Sequence, residues 1–200
     1  MVAKTFQTQL VRAIRSGVVI SKGKESLDYL SSAAKTLRNV TSASIIREAE
    51  KSELVNINQL SIGKMYFFYY DAKWKDTLPY WDRFPCIFPL SRTNQYLLGL
   101  NLHYLPYDYR VELMDVLYDI ENNAKSPENK RLQLSYGVLK ATTQMKAYKP
   151  CIKKYLHSHV KSRFFKIPYE AWNVGAFLPV ASWEKASESE VWAATRKMLD

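Results

Sequence analysis

Between residues 140 and 166 the chain reads KATTQMKAYKPCIKKYLHSHVKSRFFK. Here Lys140, Lys146, Lys149, Lys153, Lys154, Lys161, Arg163 and Lys166 supply eight cations, with no Asp or Glu among them. Cationic groups without neighbouring carboxylates suit phosphate contact. Each neutralised phosphate releases condensed counterion, so affinity grows with the number of contacts and falls with salt. Lysine brings charge with little base readout, so the chemistry on offer is sequence-independent binding. Pro150 fits the first turn of a helix, which predicts one from Pro150 to about Arg163. On it Lys153, His157 and Lys161 fall at i, i+4 and i+8 on one face, with Lys154 beside them. Ile152, Tyr155 and Leu156 then turn to a core. The plainer reading is a solvated basic face, and the length of the acid-free run stands against it. Tyr148, Tyr155, Phe164 and Phe165 adjoin these charges. They either stack on exposed bases at a strand end or, as such residues more often do, fill a core.

A second constellation invites a catalytic reading. Asp71, Asp76 and Asp82, with Lys73 and Lys75 among them, have the residue types of a metal-dependent nuclease, in which carboxylates hold Mg²⁺. Asp is also common in lysine-rich turns for local hydrogen-bonding reasons. Asp82, flanked by Tyr80, Trp81, Arg83 and Phe84, is expected to lock an aromatic corner through a satisfied ion pair. His103 lies in a strand-like run and reads as a packed histidine. The sequence holds no G-x-S-x-G, G-x-x-x-x-G-K-[ST] or G-x-G-x-x-G, and only 6 Gly. Cys86 and Cys151 sit in apolar surroundings and read as buried free thiols. His157 and His159, two apart, point to different sides of a helix. The expectation is a non-enzyme with no catalytic residue, metal, cofactor or small-molecule substrate.

The chain has 200 residues and a formal net charge of +10. The charge is uneven: residues 1–60 carry +4, 61–120 carry −1 and 121–200 carry +7. A basic C-terminal part favours a polyanionic partner, either nucleic acid or an acidic protein surface. Aromatics reach 14%, enough for a real core and against wholesale disorder. No apolar run approaches the roughly 18 residues of a membrane span, so no membrane partner is expected. The start, MVAKTFQTQLVRAIRSGVVI, reads as unprocessed.

The elements that must position these residues follow from pattern. Residues 1–58 read as a thin helical arm or accessory layer, with Phe6, Leu10, Val11 and Ile14 on one face. Residues 59–200 read as an α+β core domain. IGKMYFFYY (62–70) and QYLLGLNLHYL (95–105) are strand-like, and Gly99 suggests a bend or bulge. LPYWDRFPCIFPL (78–90) holds prolines at 79, 85 and 89, which confine any strand there to an edge or to short pieces. Together these predict a small curled antiparallel sheet or an SH3-like barrel. Helices are expected from Pro106 to about residue 122, over 132–148 and after Ser187, where Ser187 and Glu190 form a capping box. RFFKIP (163–168) reads as a short strand. The fold class is α+β, with a helical N-terminal arm and a helical C-terminal half.

The phrases D-x-L-P-Y-x-D-x-F-P (76–85) and G-L-N-L-H-Y-L-P (99–106), followed by LQLSY, KPCIKKYLHSHVKSRF and a Trp-rich end, resemble the DNA end-protector family of T-even-type tailed phages. The resemblance covers about residues 62–197. It implies a late, head-completion virion protein that binds the ends of packaged double-stranded DNA. Such a protein shields those ends from host exonuclease after injection and contacts phage head or neck proteins. It implies a place in the virion, and in the host cytoplasm during assembly and after injection. It implies no catalytic residue. The alternative is a structural adaptor of the phage tail or baseplate, docking through aromatic residues of 62–105 with no DNA contact.

Overall fold

The computed structural model describes residues 54–167, Trp172 and residues 181–198. The expectations for residues 1–53 lie outside the described residues. The rest is a mixed α+β fold with antiparallel sheets and its helices in the C-terminal half. Eight strands follow in chain order: β1 (Leu54–Val55), β2 (Met65–Phe67), β3 (Trp81–Asp82), β4 (Cys86–Arg92), β5 (Tyr96–Asn101), β6 (Ile152–Leu156), β7 (Phe164–Ile167) and β8 (Trp183–Glu184). Three described helices are α1 (Tyr107–Glu121), α2 (Glu128–Thr142) and α3 (Glu188–Lys197).

Six strands form one sheet in the order β1-β7-β2-β4-β5-β6, and β3 pairs with β8 in a second. The larger sheet curls without closing into a barrel, so the SH3-like alternative is not realised. The curl follows from connectivity. β6 and β7 are separated in the ladder by three strands, yet only His157–Arg163 joins them, part of it a 3₁₀ turn. A flat sheet, with strands about 4.8 Å apart, would demand a nearly straight link. Instead the chain crosses beside Tyr70, which bridges to Val160, and the Leu156 N–H donates to the Tyr70 hydroxyl at 3.3 Å.

Period-two alternation divides the sheet's residues between two cores. Tyr66, Phe68, Tyr70, Ile87, Leu97, Tyr155 and Phe164 fill the inside of the curl. Met65, Phe67, Cys86, Phe88, Leu100, Phe165 and Ile167 face the helices, where Val111, Met114, Leu117, Leu139 and Val191 cover them. Cys86 and Cys151 are buried and not in a disulfide, as expected.

β4 runs through Pro89 although it is an interior strand, longer than the proline rule allowed. β2 pairs only with Cys86 and Ile87, so beyond them β4 has one ladder neighbour. A register shift between Pro89 and Ser91 then accommodates the ring. Opposite Pro89 stands Gly99, where a Cβ would lie 2.8 Å from Ile87 Cδ1. The close approach of Ile87, more than any turn, requires glycine there.

The helix expected over 132–148 lies one turn earlier. Pro127 sets the entry and Glu128 favours the positive end of the helix. At the exit the Thr142 and Thr143 hydroxyls bond the Leu139 and Lys140 carbonyls, at 2.6 and 2.7 Å. The capping box at α3 is present as expected, with the Glu190 N–H on Ser187 Oγ and Ser187 N–H on Glu190 Oε2. No described helix is long and apolar enough to cross a membrane.

The helix expected over 150–163 is absent. Lys146–Cys151 form a 3₁₀ turn, Ile152–Leu156 form β6, and His157–His159 a second 3₁₀ turn. The free edge of β5 decides this. Its unpaired N–H and C=O groups lie beside a buried core, and β6 pairs with them from Tyr96↔Leu156 to Leu100↔Ile152. Local helix preference is a weak prior against such a ladder.

The polar centre of the fold is Asp82, 3% exposed. Its Oδ1 accepts the N–H of Phe84 at 2.9 Å and of Ser182 at 3.1 Å. Its Oδ2 accepts Asn101 Nδ2 at 3.2 Å and meets His103 Nδ1 at 2.6 Å. Asn101 Nδ2 also donates to the Tyr155 hydroxyl at 3.1 Å. His103 is thus packed, as expected. The ion pair expected at this corner goes elsewhere: Arg83 bonds Glu184 at 2.8 Å and the Tyr69 hydroxyl at 2.7 Å. Adjacent strand residues face opposite ways, so Arg83 turns out as Asp82 turns in.

Asp82→Ala strands four donors, three of them buried, and is expected to cost about 3–5 kcal/mol in urea denaturation. An effect near zero would remove Asp82 from the centre of the architecture. Gly99→Ala is expected to cost roughly 1–3 kcal/mol, partly recovered by Ile87→Val, which removes the opposing methyl. A neutral Gly99→Ala would contradict the close approach.

Candidate functional site

The eight cations of the acid-free run occupy several elements. Lys140 is exposed in the last turn of α2, and Lys146 and Lys149 are exposed in the 3₁₀ turn before β6. Lys154 is exposed on β6, and Lys161 in the link to β7. Lys153, Arg163 and Lys166 are partly buried. Lys153, His157 and Lys161 do not align as on a helix, because the segment is a strand followed by a turn. Lys153 pairs with Gly99 and shares the inner face with Tyr155, whereas Lys154 pairs with Leu98 on the opposite face. Lys154 Nζ lies 4.1 Å from the Tyr96 ring centroid. Lys166 is opposite Tyr66. Arg163 Nη2 donates to the Leu54 carbonyl at 2.9 Å, and Lys161 Nζ to the Ser158 carbonyl at 3.3 Å.

None of the eight forms an ion pair among the described residues; the pairs there are Lys64–Glu121, Lys75–Asp71, Arg83–Glu184 and His103–Asp82. Tyr148, Tyr155, Phe164 and Phe165 are at most 5% exposed and belong to the cores, so they are not stacking platforms.

The carboxylates read as a nuclease constellation do not converge. Asp82 is consumed by its four donors. Asp71 meets Lys75 at 3.4 Å, and Asp76 is exposed. Among the described residues no group of three or more His, Cys, Asp or Glu is placed to hold a metal ion. His157 and His159 stand in one 3₁₀ turn, with the His159 ring Nδ1 2.8 Å from the Asp71 carbonyl oxygen.

What the sequence reading missed is a cavity of about 320 Å³ where the inner end of β6 meets β3 and the turn at 72–78. Trp74, Tyr80, Trp81 and Tyr104 wall it, with Lys73 and Lys153. Lys153 Nζ sits 3.8 Å from the Tyr104 ring centroid, and Lys73 Nζ 4.8 Å from the Trp74 ring. Trp74 is 61% exposed, so its ring face is open to solvent at the cavity's edge. The turn that carries it is pinned from outside. Lys185 Nζ donates to the carbonyls of Lys75, Asp76 and Leu78, at 2.6, 3.0 and 3.3 Å. The available signal was Lys73-Trp74-Lys75, an aromatic between two cations in an otherwise polar turn.

Burial pushes the Lys153 ammonium, beside the Cys151 thiol, down to about 8. Burial also pushes that thiol up to about 12 and raises the Tyr104 and Tyr155 phenols, so these neighbours stay neutral and supply no countercharge. Holding this ammonium charged costs the fold roughly 2–3 kcal/mol. The unfolded chain binds the Lys153 proton more tightly, near the ordinary 10.5. The cost is therefore complete below pH 8, shrinks as pH rises from about 8 towards 10.5, and vanishes above. Lys153→Met is accordingly expected to stabilise the protein by roughly 1–3 kcal/mol at pH 7, net of the lost ring contact, and by less at pH 9.5. Urea denaturation at both values measures this; an equal gain at both would contradict the strained charge.

The family described as Phage T4 terminal DNA protecting protein matches residues 3–198. No curated protein and no solved structure matches the chain. The family match takes in the unpaired cations of 140–166, the cavity and the Asp82 centre together. With nearly the whole chain covered, this protein belongs to the phage T4 terminal DNA protecting protein family.

Proposed function

We propose that this protein binds the ends of packaged linear double-stranded DNA without regard to sequence and shields them by occupying the terminus, with no chemistry of its own. The observation that carries the reading is the set of eight cations with no carboxylate partner among the described residues. Five of them, Lys140, Lys146, Lys149, Lys154 and Lys161, are exposed. Unpaired surface ammonium groups gain most from phosphate, because counterion release is not offset by breaking an internal pair. They sit on a helix end, turns and an edge strand rather than along one groove-reading helix. That arrangement favours backbone contact over base contact. The family's name supports DNA ends as the partner.

The same reading places the protein in the virion, next to head or neck proteins. It reaches the host cytoplasm during assembly and again after injection, where bound ends resist exonuclease. The adaptor reading keeps a smaller surface than expected, Trp74 with the partly buried Tyr69, Tyr80, Trp81 and Tyr96. Tyr66, Phe67, Phe68, Phe84 and Phe88 are buried, so most aromatics of 62–105 are not available for docking.

Two measurements test this. Binding to a linear duplex, titrated with salt, is expected to give a log–log slope near −5, as roughly six phosphate contacts require. A slope near zero, or no binding, would favour the adaptor. The combined exposed substitutions Lys146→Glu, Lys149→Glu, Lys154→Glu and Lys161→Glu are expected to abolish protection in an exonuclease assay. Each should shift stability by no more than about 0.5 kcal/mol. Full protection by this variant would refute the assignment of the surface.

A further inference from the structure

The lysine at the back of the cavity forms no ion pair among the described residues. Lys153 shares the inner face of the sheet with Tyr155, its ammonium lies over the Tyr104 ring, and no carboxylate pairs with it among the described residues. The one carboxylate in the cavity wall, Asp82, already accepts from Phe84, Ser182, Asn101 and His103. A charge held out of water without a counterion marks a place where an anion arrives from outside. Lys73 at the mouth adds a second ammonium.

The rest of the wall says what the anion is attached to. Trp74, Tyr80, Trp81 and Tyr104 present flat, largely apolar surface. Trp74 is exposed, and the Trp81 indole N–H is buried with no hydrogen-bond partner among the described residues. Stacking on aromatic faces is sequence-tolerant, since every base has a π-face. A volume of about 320 Å³ lies at the small end of ligand pockets, room for one nucleotide and too little for a duplex.

We propose that this cavity receives the 5′-terminal nucleotide of a DNA strand, its base against Trp74 and Trp81 and its terminal phosphate on Lys153 and Lys73. The inference rests on the DNA-end reading and sharpens it. The exposed cations hold the flanking duplex by its backbone, and the cavity distinguishes an end from the interior. An internal nucleotide cannot enter without its neighbours on both sides, whereas a terminal one needs only to unpair and turn in. The terminal phosphomonoester also carries more charge than an internal diester, which suits an ammonium with no carboxylate partner among the described residues. Occupation would further block the terminus that an exonuclease must thread.

The test uses the full-length protein and one blunt duplex made with 5′-phosphate or 5′-hydroxyl ends, with a covalently closed circle as competitor. The wild type is expected to prefer the phosphorylated duplex by about tenfold and to prefer either linear duplex over the circle. Lys153→Met is expected to lose the phosphate preference while keeping its affinity for the circle. Trp74→Ala, an exposed change that leaves the core intact, is expected to weaken end binding about tenfold for both duplexes, within the range of one lost stacking contact. If linear and circular DNA bind equally, DNA-end recognition itself fails and the cavity assignment falls with it. If ends are preferred but neither the phosphate, Lys153→Met nor Trp74→Ala changes the preference, the cavity assignment alone is overturned.

Discussion

A single buried carboxylate holds the candidate site in shape. Asp82 draws two backbone N–H groups, an amide and an imidazole onto its two oxygens, from β3, β5, the turn after β5 and the segment before β8. Through Asn101 the same network reaches the Tyr155 hydroxyl and so fixes the inner face of β6. Through the backbone of the following turn it reaches α3, where Trp192 Nε1 donates to the His103 carbonyl at 2.9 Å and Thr195 Oγ1 to that of Tyr104 at 3.1 Å. A buried charge is costly unless every lone pair is answered. Here they are answered by parts of the chain up to 100 residues apart. The consequence is positional: Tyr104, against which Lys153 lies, cannot move unless this cluster opens.

Around that centre the fold separates two jobs. The sheet and helices bury the aromatics and supply rigidity. The segment 140–166 stays poor in acids and carries its cations outward on a helix end, turns and an edge strand. An edge strand presents unpaired backbone and invites unwanted pairing, and lysine is one of the usual protections. In β6 the same residue type serves that need at Lys154 and leaves its charge exposed. Lys153, Arg163 and Lys166 are partly buried, and Lys153 lines the cavity, where its charge costs stability. Such a cost at an otherwise well-satisfied site is characteristic of function and not of folding.

Much of this was legible in the sequence. Local signals carried through: the Ser187–Glu190 capping box, the helix after Pro106, the short strand Phe164–Ile167 and the buried thiols. The α+β class and the curled sheet followed from short aromatic runs separated by polar turns. What misled was long-range pairing. From Pro150 onward the residues are compatible with a helix, and only the unpaired edge of β5, some fifty residues away, makes them a strand. The cationic composition of 140–166 survives that change, but the alignment of Lys153, His157 and Lys161 does not. The satisfied polar corner expected at Asp82 is present, but its partners come from His103, Asn101 and Ser182, distant in sequence, while Arg83 bonds Glu184 and Tyr69. The cavity was invisible, since its walls come from 70–82, Tyr104 and β6, brought together only by the curl.

The most direct measurement is photocrosslinking from a duplex carrying a reactive group on its last nucleotide, followed by peptide mapping. The account predicts adducts at Lys73, Trp74 and the segment 146–161, all removed by excess free DNA ends but not by closed circles. Adducts confined to the outer faces of α1 and α2, with none on β6 or the 72–78 turn, would contradict it.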